Sequence, residues 1–248
     1  MIRNSPIILI FAISSFTACS TGGKLFSQAK ENPVRTQFFP NVEIKAERIP
    51  DKENLWVFIL AGQSNMAGRG FVEPEDTIPT NRVLTINMKD EIILAKEPLH
   101  FYYPRLAGLD CGLEFGKALI KQIPDSISVL VLPTAIGGTT ISQWLGDSTC
   151  RNVQLLTKFR EFSGNEKLPL FIGELGAYPN KYSENWIKIN EQIRAYALTD
   201  SYASVIETSD LKHKGDSIHF NSDGQRAMGQ RFADQYIKGE KYPNYNNE

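Results

Sequence analysis

Ser64 stands in the run Gly62-Gln63-Ser64-Asn65-Met66-Ala67-Gly68, where an apolar stretch ends, and is the best-placed candidate nucleophile of the chain. Hydrolysis through a serine needs a base to take the hydroxyl proton, an acid to orient that base, and N–H donors for the developing oxyanion. The chain has only three histidines, so candidates for the base are few. His219 follows Asp216 by three residues, a spacing that brings carboxylate and imidazole to one side of a turn. Asp210 and His213 repeat this spacing, but beside Lys212 and Lys214, in what reads as a solvated loop; His100 follows Pro98-Leu99 with no acid or serine tied to it. Gly137-Gly138 lacks Cβ atoms, so its backbone can approach a ligand and turn N–H groups toward it, as an oxyanion hole requires. Each feature has a plainer alternative: Ser64 as a helix N-cap, Asp-x-x-His as a loop turn, Gly-Gly as a tight turn. Their joint occurrence at strand ends favours the chemistry.

These residues need a rigid platform. Residues 55–61, Leu-Trp-Val-Phe-Ile-Leu-Ala, are too few for a membrane span and rich in aromatic and β-branched types, and read as a strand buried on both faces. Further strands are expected at 83–86, 128–133, 168–173 and 202–206, with amphipathic helices at 112–122, from Ser183, and from Ser222, the last opened by Ser222 and Gln225 at capping-box spacing. Alternation of this kind predicts an α/β fold, a doubly wound parallel sheet, with Ser64 and Gly137 both at carboxyl ends of strands, where such sheets bind ligands. Trp186, Ile189, Ile193 and Tyr196 fall at helical spacing and read as core.

With 248 residues, a net charge of -1 and no basic runs, the chain has the apolar content for one sizeable core and no electrostatic footprint for nucleic acid. Residues 1–19 read as a targeting segment: Arg3, then a short apolar stretch, then Phe16-Thr17-Ala18-Cys19. The pattern resembles a bacterial lipoprotein signal. That implies an exported chain held to a membrane by acylation of Cys19, periplasmic or at the outer-membrane surface, with 20–52 as a tether, 53–240 as the domain and 241–248 as a tail. An ordinary cleaved signal is the alternative. Cys111 and Cys150 remain, able to pair in an exported compartment but too few for a zinc site, and no cofactor or metal is expected.

Taken together, Gly62-Gln63-Ser64-Asn65-Met66, Gly137-Gly138-Thr139-Thr140-Ile141 with Trp144, residues 169–176 (Pro-Leu-Phe-Ile-Gly-Glu-Leu-Gly) and Asp216-Ser217-Ile218-His219-Phe220 resemble the ordered blocks of the sialate O-acetylesterase and acetylxylan esterase group, carbohydrate esterase family six of the SGNH hydrolases. The resemblance implies a three-layer, flavodoxin-like domain that removes acetyl groups from hydroxyls of sugars or polysaccharides without a metal. It makes Ser64 the nucleophile, His219 the base, Asp216 its orienter, and the N–H groups of Ser64 and Gly137 or Gly138 the oxyanion donors. Gln63, Asn65, Thr139 and Glu174 are expected to bind substrate. The family also carries, between the glycine turn and the Gly-Glu-Leu-Gly block, a strand ending in a His-Gln-Gly-Glu-Ser-Asp type sequence and then a helix. Here residues 144–168 are too short to hold that unit. The loss removes the family's side-chain oxyanion donor and predicts a gap in the sheet, with unpaired edges unless the strands close up. It leaves a weakened acetylesterase as the leading expectation, an inactive carbohydrate-binding or scaffold lipoprotein as the alternative, and a lipase or thioesterase as a third reading with no apolar acyl channel in evidence.

Overall fold

The computed structural model describes residues 7–12, 33–102, 105–138, 158–180 and 183–239. Seven strands form one sheet: β1 (Ile7–Ala12), β2 (Leu55–Gly62), β3 (Val83–Ile86), β4 (Ile92–Leu94), β5 (Ser128–Pro133), β6 (Leu170–Gly173) and β7 (Ala203–Ile206), in the order β4-β3-β5-β2-β1-β6-β7. All neighbours are parallel except β3 and β4. The principal helices are α1 (Gly112–Ile120), α2 (Ser183–Thr199) and α3 (Ser222–Lys238).

Strand alternation explains the layers. On β2, Phe58 and Leu60 join Phe115 and Leu119 of α1, Met228 and Phe232 of α3, and Phe171 of β6 in one core. Ile59 and Ala61 face the other way, with Leu170 and Ile172, and meet Ile189, Ile193 and Tyr196 of α2. Both faces are therefore covered, as a run without polar interruption requires. Helices α1 and α3 lie close because Gly229 has no side chain: a Cβ there would stand 2.5 Å from the Cys111 carbonyl oxygen.

Four expectations change. Strand β4 was not legible, since three residues carry too little pattern; it pairs antiparallel with β3 through Leu84↔Leu94 to Ile86↔Ile92. The N-cap of α3 is Asn221, whose side chain accepts from Gly224 N–H at 2.8 Å. Ser222 instead donates to the Phe71 carbonyl, and Gln225 to that of Asn65, so the capping box predicted for Ser222 and Gln225 does not form. The second half of the expected tether is laid on the fold: Leu94 N–H donates to the Ile44 carbonyl and Ala46 N–H to that of Ile92, which covers the outer edge of β4.

The fourth concerns the predicted gap. Between β2 and β6 lies β1, in register from Ile7↔Val57 to Ala12↔Gly62 on one side and from Leu9↔Leu170 to Ala12↔Gly173 on the other. The apolar stretch read as the centre of an export signal is thus the strand that fills the sheet. An unfilled slot would leave two facing rows of unpaired backbone groups, each costly when buried. Cleavage ahead of Cys19 would remove β1. A chain beginning at Ser20 is accordingly expected to melt about 10 °C or more below the full chain by circular dichroism, at about 1 kcal/mol per ladder bond and 2–4 °C per kcal/mol. Equal melting temperatures would mean that the other strands close without β1.

Candidate active site

Strand β2 delivers the chain to Gly62, whose φ of 146° lets the backbone break from the strand. The turn closes with Ala67 N–H donating to the Gln63 carbonyl at 2.7 Å, and Ser64 sits on it at the carboxyl end of a central strand, 7% exposed. From the edge strand β7, the following loop returns toward this turn before α3 begins.

That loop is held by backbone bonds, Lys214 N–H to the His219 carbonyl and Asn221 N–H to that of Lys212, both at 2.9 Å, and by side-chain to backbone bonds. Asp216 Oδ1 accepts from the N–H groups of Ile218 (2.9 Å) and His219 (2.8 Å), closing a turn around Ser217, which sits at φ 56°. His213 Nδ1 accepts from Gly215 and Ser217 N–H, and Asn180 donates to the Ser217 carbonyl at 2.6 Å. The turn puts His219 Nδ1 at 2.7 Å from Asp216 Oδ2 and His219 Nε2 at 3.0 Å from Ser64 Oγ. Asn65 locks the two loops together: its Oδ1 accepts from Phe220 N–H at 3.1 Å and its carbonyl from Gln225.

The electrostatics suit a base. Burial opposes charge on Asp216, but N–H donation from His219 and Ile218, with the imidazole itself, outweighs it and holds the carboxyl below its usual 3.8. For His219, burial disfavours the imidazolium most; Asp216 works against that, Arg69 and Lys214 reinforce it, and the pKa lies below 6.5. The imidazole is therefore neutral at pH 7, with Nδ1–H on the acid and the Nε2 lone pair toward Ser64.

The third component is the turn after β5. A Cβ placed on Gly137 would stand 3.6 Å from Ser64 Cα and 2.1 Å from Nη2 of Arg69, so a side chain there would have to displace the end of Arg69. Gly138 has φ 80°, a conformation open to glycine. The N–H groups of Ser64, Gly137 and Gly138 donate to no other described residue. An arrangement of hydroxyl, neutral imidazole, carboxylate and N–H donors without another described acceptor can carry out acyl transfer. Among the described residues no group of three His, Cys, Asp or Glu side chains is placed to hold a metal ion.

The structure brings Ser64, Asp216, His219 and Gly137 together, and Gly138 follows in the same turn. Other candidates stand elsewhere. Asn65 braces the loops, and Glu174, buried, has Oε1 2.5 Å from Arg194 Nε on α2. Gln63 is buried beside the nucleophile, while Thr139, Cys19 and Cys150 lie outside the described residues. Cys111 is a buried free thiol 3.6 Å from Met66 sulfur. Asp210, the competing acid, is paired with Arg231 and not with His213. Sequence reasoning missed Arg69, although its place five residues after Ser64 in the same run was a usable signal. It also missed the acid of His100: Asp110 Oδ2 lies 2.7 Å from His100 Nδ1.

The fold is a mostly parallel α/β sheet with Ser64, His219 and Asp216 on loops at its carboxyl edge, and sequence comparison gives the family. Residues 54–153 and 149–238 match the model of the family described as "Carbohydrate esterase, sialic acid-specific acetylesterase", and the chain belongs to that family. The two matched segments overlap at residues 149–153. A probable carbohydrate esterase of Arabidopsis thaliana is 32% identical over 105 residues, which span 36% of this chain and 40% of that relative. The structure from Arabidopsis thaliana superposes with a TM-score of 0.66 at 21% identity, covering 75% of this chain and 98% of the other. NanS gives 0.57 at 15% identity over 77% and 98%, and a carbohydrate acetylesterase of Xanthomonas citri 0.51 at 13% identity over 73% and 56%. At these identities the structural likeness establishes the fold.

Proposed function

We propose that this protein hydrolyses acetyl esters on sugars or polysaccharides through an acetyl-enzyme on Ser64. The observation that carries the proposal is the unbroken line Asp216 Oδ2, His219, Ser64 Oγ at 2.7 and 3.0 Å, beside N–H donors with no other described acceptor. Ser64 Oγ attacks the acetyl carbonyl carbon while His219 Nε2 takes its proton, and the carbonyl oxygen gains charge among the N–H groups of Ser64, Gly137 and Gly138. As the intermediate collapses, the imidazolium gives its proton to the sugar oxygen, the C–O bond breaks and the sugar alcohol leaves. Water then attacks the acetyl-serine with His219 again as base, and acetate departs with Ser64 restored.

Acetate release from an aryl acetate, from acetylated xylan and from O-acetylated sialic acid tests the proposal and ranks the substrates. The working base is neutral imidazole, so kcat/KM is expected to fall as pH drops through the pKa of His219. That pKa is depressed, which places the midpoint below 6.5 and leaves the profile level above about pH 7.5. A midpoint at or above 7 removes His219 from the role.

The absent His-Gln-Gly-Glu segment favours a second reading, a family relic that binds acetylated polysaccharide without cleaving it. Retention of acetylated xylan with no acetate released above buffer would establish it. Export with acylation at Cys19 is a separate proposal that rests on the N-terminal sequence alone. It and a sheet completed by β1 exclude one another in one molecule, and the mass of the N-terminus after expression in a lipoprotein-processing host distinguishes them.

A further inference from the structure

Residues Thr134 to Ile136 lead from β5 into the glycine turn, and their backbone is held from two sides. Toward β2, Thr134 N–H donates to the Leu60 carbonyl at 2.9 Å and Ile136 N–H to that of Gly62 at 3.1 Å, prolonging the strand ladder. The intervening Ala135, fully buried, points its N–H and carbonyl the other way, toward β3. That strand pairs with β5 only at Val83↔Val129 and Leu84↔Leu130, so no strand partner reaches Ala135. Its place is taken by two side chains from the loop after β4: Ala135 N–H donates to His100 Nε2 at 3.2 Å, and Tyr102 Oη donates to the Ala135 carbonyl at 3.0 Å.

Behind this contact stands a second acid–imidazole pair, wholly shielded from solvent. His100 Nδ1 lies 2.7 Å from Asp110 Oδ2, so the proton sits on Nδ1 and the Nε2 lone pair faces Ala135. The other oxygen of Asp110 accepts from Gly112 N–H at 2.6 Å, tying the pair to the start of α1. Among the described residues no serine or threonine hydroxyl is hydrogen-bonded to His100, whose contacts besides Asp110 are the Ala135 N–H and the Tyr102 ring.

We propose that His100, Tyr102 and Asp110 are positioning residues that fix the oxyanion turn, holding the Ala135 peptide so that the N–H groups of Gly137 and Gly138 keep their aim at the acetyl oxygen. This rests on the esterase reading above. Preorganised donors need rigid support, because an error near 1 Å in a reacting geometry costs about 10²-fold. Support on both sides matters more here, where the family's side-chain oxyanion donor has no counterpart in the sequence.

The test uses the full chain with Tyr102→Phe, His100→Leu and His100→Gln. Tyr102→Phe keeps the ring and loses one bond; His100→Gln keeps an acceptor for Ala135 N–H, and His100→Leu has none. On an aryl acetate we expect kcat to fall about 10- to 100-fold for Tyr102→Phe and His100→Leu with KM unchanged, and His100→Gln to recover part of the loss. Inhibition by phenylboronic acid, which forms a tetrahedral adduct with serine, should weaken in the same proportion. Amide hydrogen exchange across residues 134–138 should quicken in both impaired variants. Wild-type kcat and boronate affinity in both would overturn the clamp. If the wild type itself neither turns over nor binds the boronate, the esterase reading fails, and unchanged exchange across 134–138 would still overturn the clamp separately.

Discussion

Ser64→Ala is expected to bring acetate release down by about 10³- to 10⁴-fold, to near the rate of buffer. A complete serine triad is worth about 10⁶ in kcat. The absence of one side-chain oxyanion donor lowers the starting rate by about 10²–10³, so less remains to be lost. The substitution removes one hydroxyl whose described partner is His219 Nε2, at a site already 7% exposed, so little packing changes. The melting temperature should move by no more than a few degrees, and a mass gain of one acetyl group from an aryl acetate, trapped by acid quench, should disappear. A variant that releases acetate as fast as the wild type would place the chemistry elsewhere.

The second large effect is expected for Asp216→Asn, with two separable signatures. The carboxylate fixes the His219 tautomer through Nδ1–H at 2.7 Å, and an amide there can present an N–H that favours the wrong one. In the chymotrypsin triad, a worked case of the same substitution, the loss in kcat is about 10⁴; with fewer oxyanion donors to act in concert, about 10²–10³ is expected here. The pH profile should shift as well. Asp216 raises the pKa of His219 by hydrogen bonding and by charge, against burial, Arg69 and Lys214. Without it the imidazolium is less stable, and the acid limb moves to lower pH while the plateau falls. A change confined to folding would lower activity without displacing that limb. An upward displacement would mean that Asp216 is not the charge that His219 senses.

How much of this was legible in the sequence follows from the range of the forces. Buried strands such as β2 and β5 announce themselves, because a strand covered on both faces must be apolar throughout, and a glycine at its end marks the turn. The triad was legible for a related reason. Asp216 and His219 interact through a local turn whose spacing is written in the chain, and histidines are scarce enough to limit the choice. His100 illustrates the opposite case. Its acid lies ten residues away across a loop and its target, Ala135, thirty-five residues away, and neither distance has a sequence signature. Asn65 and Glu174 sit in family-like blocks that suggest contact with substrate, yet each is turned inward: Asn65 to Phe220, Glu174 to Arg194.

From its residues alone, this chain specifies a parallel α/β sheet, the turns at Gly62 and Gly137, and a serine, histidine and aspartate suited to acyl transfer, because periodicity, turn chemistry and side-chain type act over a few residues. Three matters depend on tertiary contacts. They are the 3.0 Å approach of His219 to Ser64 across 155 residues, the bracing of Ala135, ahead of the Gly137 turn, by His100 and Tyr102, and the filling of the sheet between β2 and β6 by Ile7–Ala12. Each is a pairing between distant parts of the chain, in which a buried donor, acceptor or strand edge takes the partner that folding brings to it, and no local pattern records that choice.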